Sequence, residues 1–114
     1  MTTISGAPNH AAYGATKAAI INLTQTLAGE FGDFGIRVNA LCPGIIVDTD
    51  VRARTEALNR SQGLPDVETR VKSIPLRRAG YPDDVAELVV FLASDRASYM
   101  TGQAINVTGG LWMN

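Results

Sequence analysis

Two short runs rich in apolar and β-branched residues, IRVNALCPG (Ile36 to Gly44) and GQAINVTGG (Gly102 to Gly110), constrain this chain more than anything else in it. Each is closed by turn residues and reads as a short buried strand. The long stretch between them reads as helix and irregular structure, so they can pair in parallel only, through a right-handed crossover, as in doubly wound α/β proteins. Parallel strands are found almost exclusively in sheets covered on both faces, and independent stability takes about three strands or more. The expected fold is therefore α/β, with these strands as part of a larger sheet.

Helical patterning fills most of the remainder. From about Asn9 to Phe31 the chain is Ala-rich, and Ala18, Ile21, Thr24, Leu27, Ala28 and Phe31 keep to one broad face. The GDFG run (Gly32 to Gly35) ends that helix. From Asp48 to about Ser73 the sequence turns polar and Arg-rich, with a break at GLPD (Gly63 to Asp66) that predicts two short helices in an excursion, the most lid-like segment of the chain. YPDDVAELVVFLAS opens with Pro82 and two acids and carries Val85, Leu88, Val89 and Leu92 at helical spacing, which predicts a second long helix. No repeat or linker divides the chain, so residues 1–114 are expected to form a single, incomplete domain.

Composition removes several function classes. With 46% apolar and 18% charged residues the chain is expected to be globular. A net charge of −1 and a pI near 5.7 supply no field for phosphate backbones or anionic lipid, which argues against nucleic-acid and membrane partners. The start MTTISG lacks the basic and apolar regions of a signal peptide, and the longest apolar run is too short to span a bilayer, so a soluble, cytoplasmic protein is expected. One Cys and one His offer neither a disulfide framework nor a structural zinc site, and no metal is expected.

Tyr13 and Lys17 carry the candidate chemistry. Four residues apart on a helix, they share a face with Cβ atoms roughly 5–6 Å apart. A cation beside a phenol favours phenolate, and a tyrosine so assisted can pass a proton to or from an alcohol or carbonyl oxygen. Taken alone, a Tyr-x-x-x-Lys spacing also arises by chance in Ala-rich helices.

The wider set of motifs is more specific. YGATKAAI, GIRVNALCPG and ASDRASYMTGQAINVTGG, in this order and at these intervals, resemble the C-terminal half of the short-chain dehydrogenase/reductase family, and the resemblance covers essentially the whole chain. It implies the C-terminal part of a Rossmann-like doubly wound parallel sheet, with about two strands and three to four helices. It also implies NAD(P)-dependent interconversion of a carbonyl and an alcohol, on a small alcohol, polyol or sugar substrate. By the same resemblance Tyr13 is the catalytic acid/base, and Lys17 favours its ionised form and hydrogen-bonds the nicotinamide ribose. Pro43 and Gly44 form the turn that brings backbone to the nicotinamide, and Ile46 offers main-chain groups to its carboxamide. Thr49 is the nearest match to the family's cofactor-contacting threonine, although PGIIVDTD is one residue longer than the commonest spacing. Residues 48–73 match the variable substrate lid.

The departures are as informative. No G-x-x-x-G-x-G turn, which places a dinucleotide pyrophosphate on a helix N-terminus, occurs in the sequence, nor does the segment that separates NAD from NADP. Ser5 stands too close to Tyr13 to be the family's catalytic serine, and the family's asparagine is missing too. The resemblance therefore implies a fragment of such an oxidoreductase, inactive alone; the alternatives are one half of a split enzyme with a complementing N-terminal half, or a non-catalytic, homo-oligomeric interaction module.

Other residues are read conservatively. His10 is a surface residue near a helix start, although it would border the family's pocket. Cys42 is a small core residue on a strand. Arg52, Arg54 and Arg60 could meet an anionic group, but a solvated lid face with Glu56 intervening is the plainer account. Trp112 and Met113 are assigned to packing at an oligomer interface, the role the resemblance gives that end, and Tyr81 and Tyr99 to structure.

Overall fold

A computed structural model describes residues 11–113. Among the described residues four α-helices, two short 3-10 turns and two strands follow one another. Helix α1 (Ala11–Phe31) is followed by a 3-10 turn (Gly32–Phe34), strand β1 (Ala40–Pro43), helices α2 (Asp50–Ser61), α3 (Val67–Val71) and α4 (Pro82–Ala93), a second 3-10 turn (Asp95–Ala97), and strand β2 (Ala104–Val107). The two strands form one sheet. Ala40 N–H donates to Gln103 C=O at 2.8 Å and Gly44 N–H to Val107 C=O at 2.9 Å, a constant offset that makes the pairing parallel. This is the mixed α/β arrangement of a Rossmann-like fragment.

Both strands are shorter than their apolar runs. Residues 36–39 precede the ladder because their groups are taken by side chains and a turn. Val38 N–H donates to Thr101 Oγ1 at 3.0 Å, and Val38 C=O accepts from Gly102 N–H at 2.7 Å. The Asn39 amide donates to Met100 C=O at 2.8 Å and accepts from Gln103 N–H at 3.1 Å. At the other end, Gly109 and Gly110 adopt positive φ (63° and 90°) and turn the chain out of β2.

The excursion contains the two expected helices, each begun by a side-chain cap. Thr49 Oγ1 accepts from Arg52 N–H at 3.1 Å and Asp66 Oδ1 from Thr69 N–H at 2.8 Å, so each satisfies a donor that has no intrahelical partner. Asp84 begins α4 in a different way, accepting from Tyr81 N–H at 2.7 Å.

The described residues divide into two compact units, one built from residues up to Cys42 with Phe91–Ile105, the other from Pro43–Val90 with Asn106–Met113. In the first, α1 buries Thr24 and Ala28 while Ile20, Leu23 and Phe34 stand exposed. In the second, Ile74 is 1% exposed and is the largest enclosed side chain. Its Cγ2 would stand 2.8 Å from a Cβ at Gly109, so the backbone there comes as close as only glycine permits.

Candidate functional site

Tyr13 and Lys17 lie on α1 as the spacing requires. Lys17 Nζ sits over the Tyr13 ring, 5.4 Å from its centroid, a cation–π contact on a helix face where Tyr13 is 62% exposed. On the same helix Thr16 and Thr24 satisfy their hydroxyls locally, donating back to the carbonyls of Tyr13 and Ile20 at 2.8 and 2.9 Å. Ser5 and His10 lie outside the described residues.

Pro43, Gly44, Ile46 and Thr49 belong to the other unit. Gly80 N–H donates to Ile45 C=O and Val47 N–H to Gly80 C=O, each at 2.9 Å, forming a parallel bridge centred on Ile46. Such a bridge uses the polar groups of Ile46's neighbours, so Ile46's own N–H and C=O are turned away from Gly80. A carboxamide needs one donor and one acceptor, and the Ile46 main chain supplies both in kind. A Cβ on Gly80 would lie 2.6 Å from Ile46 Cδ1, the far end of that side chain, which would have to turn aside.

Thr49 serves as the α2 cap through its oxygen lone pair and retains a hydroxyl proton to donate. A small cavity of about 160 Å³ opens beside this loop, lined by Ile45, Ile46, Leu76, Val107 and Thr108 among others, with Arg78 and Asp84 in its wall. In its lining Ile45 and Ile46 come shortly after β1 and Thr108 and Gly109 directly after β2, and the carboxyl ends of parallel strands are where open α/β sheets bind ligands.

Sequence reasoning missed the pair that braces this loop. Arg78 Nη1 and Nη2 donate to the two carboxylate oxygens of Asp84, both at 2.7 Å. The Arg78 guanidinium, helped by Tyr81 N–H, holds the Asp84 carboxyl well below the usual carboxylate range. The sequence signal was a Pro-Asp-Asp helix start preceded by Arg-Arg, read only as a start. The arginines of residues 48–73 also differ from expectation. Arg54 and Arg60 are exposed, whereas the Arg52 side chain is 16% exposed and lies 2.6 Å from Glu56 Oε1, and Arg70, not singled out earlier, donates to the same oxygen. Arg52 is therefore no part of a solvated face, because its stem folds in toward Glu56 and Arg70.

The remaining candidates resolve simply. Cys42 is half-buried, and burial pushes its thiol up, away from the reactive thiolate. The Thr108 hydroxyl donates to Trp112 C=O at 3.1 Å, closing the terminal turn, and Met113 is exposed. Among the described residues no helix is long and apolar enough to cross a membrane, and no group of three His, Cys, Asp or Glu side chains is placed to hold a metal.

A protein-family model described as enoyl-(acyl carrier protein) reductase matches residues 1–112. The chain belongs to the short-chain dehydrogenase/reductase family. Its relatives include 3-oxoacyl-(acyl-carrier-protein) reductase FabG of Staphylococcus epidermidis, 44% identical over 99% of this chain and 44% of that protein. They also include 2-(S)-hydroxypropyl-CoM dehydrogenase 3 of Xanthobacter autotrophicus, 43% identical over 93% of this chain and 41% of that protein. Among solved structures, a short chain dehydrogenase family protein from Francisella tularensis superposes with a TM-score of 0.84 at 36% identity, over 95% of this chain and 46% of that one. Sorbitol-6-phosphate 2-dehydrogenase SrlD from Erwinia amylovora gives 0.83 at 34%, over 96% and 44%. This short-chain dehydrogenase/reductase chain thus spans less than half the length of the relatives it matches.

Proposed function

We propose that this chain supplies the proton-transfer and lid portion of an NAD(P)-dependent oxidoreductase acting on the CH–OH group of an alcohol, polyol or sugar, and that it does not turn over alone. Tyr13 is the acid/base, donating its phenolic proton to the substrate oxygen as a carbonyl is reduced and taking it back in the reverse direction. Lys17 holds the pair together on one helix face and contacts the nicotinamide ribose. The Ile46 main chain, with Pro43, Gly44 and Thr49, faces the nicotinamide, which supplies hydride when bound, as NAD or NADP. Residues 48–73 are the substrate lid of one incomplete domain.

The observation that carries this reading is the contact between Lys17 and Tyr13 on one face of α1 in a chain that matches the family model almost from end to end. The relatives' names support the reaction type, since they are reductases and dehydrogenases, and one solved neighbour is described as NADPH dependent. Inactivity alone rests on the sequence, which has no glycine-rich G-x-x-x-G-x-G turn. Positioning a substrate against its hydride source is worth about 7–11 kcal/mol of barrier, and that share requires the missing turn.

The partner is a complementing N-terminal half, or a second copy of the chain. Exposed Ile20, Leu23, Phe31 and Phe34 leave α1 and its following turn with apolar surface to cover. Co-expression with a polypeptide supplying the glycine-rich half tests the proposal. Nicotinamide-coupled alcohol oxidation should appear, and Tyr13→Phe should lower kcat by about 10²–10⁴ while leaving assembly intact. An unchanged rate in that variant would remove Tyr13 from the chemistry.

A further inference from the structure

Residues 48–73 hold an arrangement that the proton-transfer pair does not require. Arg52 and Arg70 both turn toward one oxygen of Glu56: Arg70 Nη2 hydrogen-bonds it, while Arg52 Nη2 meets it as an ion pair without hydrogen-bond alignment. Two guanidiniums against one carboxylate leave a formal charge of +1. Arg52 Nε and Arg70 Nε are enclosed and have no hydrogen-bond acceptor, and Arg52 Nη2, equally enclosed, has only its misaligned ion pair with Glu56. Leaving a buried donor unsatisfied costs about 1–3 kcal/mol, more for charged groups. Burial first, and then the Arg70 charge, push the Arg52 guanidinium below its ordinary value, so the pair is under mutual repulsion that Glu56 only partly relieves.

An anion with several oxygen acceptors answers all three features, since it accepts from the orphaned N–H groups, neutralises the surplus charge and separates the two cations. Planar guanidinium forks match phosphate, sulfonate and carboxylate oxygens in this way. We propose that Arg52 and Arg70 form an oxyanion site in the lid, and that the substrate carries such a group. The assignment to substrate rests on the proposed role of residues 48–73 as the substrate lid. The cations approach from two different helices, α2 and α3, so an anion between them ties the helices together and orders the lid as it binds. Glu56 is then the site's internal stand-in, holding the arginines until the ligand arrives.

The test follows the arginine Nε–H signals of the 114-residue chain by NMR during titration with inorganic phosphate, glucose 6-phosphate and glucose, at constant ionic strength. The signals of Arg52 and Arg70 should move saturably with both phosphates and not with glucose. Arg52→Gln and Arg70→Gln should each weaken phosphate binding about tenfold or more, while Arg54→Gln and Arg60→Gln change it by less than about twofold. Glu56→Gln should tighten it, because the competing carboxylate charge is gone; a purely structural ion-pair role predicts no gain. If the Arg→Gln variants unfold, the Glu56→Gln result and the shifts in the unaltered chain still decide. No saturable shift with phosphate, equal weakening by Arg54→Gln, or weaker binding in Glu56→Gln would overturn the site. Binding of inorganic phosphate without glucose 6-phosphate would overturn its assignment to substrate. No nicotinamide enters the readout, so failure here leaves the proton-transfer role of Tyr13 standing.

Discussion

Helix α1 and the loops around Ile46 differ in how far the described residues cover them. Helix α1 buries Thr24 and Ala28, while Ile20 and Leu23 remain 50% and 54% exposed. The loops around Ile46 are closed from within, by the Ile46–Gly80 bridge, the Arg78–Asp84 pair and the approach of Gly109 to the enclosed Ile74. The difference shows where the proposed function needs outside help. Under that proposal the loop assigned to the cofactor is braced by this chain's own residues, whereas the helix assigned the proton-transfer pair has apolar surface for a partner to cover.

The contrast can be broken most forcefully at Ile74. Ile74→Ala should cost about 2–5 kcal/mol of unfolding free energy in chemical denaturation, against less than about 0.5 kcal/mol for Leu23→Ala. Equal losses would mean that α1 is as fully packed as the surroundings of Ile74. The same substitution should next change sign between the two regions. Gly109→Ala adds a Cβ against Ile74 at a φ of 63° and should destabilise by about 2–3 kcal/mol, while Gly29→Ala, in helix α1 with open space around it, should stabilise by about 0.5–1 kcal/mol.

The smallest expected effect sharpens the comparison through pH. Asp84 is depressed in the folded state, so its stabilising contribution is complete above the unfolded carboxyl value of about 4 and is lost as pH falls below it toward the lower folded value. Asp84→Asn should therefore lower stability at neutral pH, with the gap to the unaltered chain closing as pH drops below about 4. Because the pair is exposed, added salt should narrow the gap as well. A gap that persists in acid would show that the Asp84 charge is not what braces the loop.

How much of this was legible follows the range of the interactions. Helix starts are local, and Pro82 with its two acids announced that of α4, as the helical period placed Tyr13 above Lys17, whereas the caps Thr49 and Asp66 were not read as such. Strand limits were overextended because Val38 and Asn39 look like strand residues yet bond to Thr101, Met100 and Gln103, which no local pattern reveals. Arg52 and Glu56, four apart on a helix, were visible as neighbours. The arrival of Arg70 at the same oxygen depends on how α3 returns, and it leaves Arg52 and Glu56 half-buried where a solvated face was expected. Gly80 was passed over because its significance lies in Ile46, which the fold brings beside it from the far side of the lid.

The central claim is that this chain carries the proton-transfer share of a nicotinamide enzyme without the share that grips the dinucleotide. Titrating the chain with NADH while following energy transfer from Trp112, its one tryptophan, tests that directly. The account predicts no saturable transfer and no alcohol oxidation when NAD is supplied with the substrate. Saturable transfer at micromolar NADH, accompanied by turnover from the 114-residue chain alone, would contradict it.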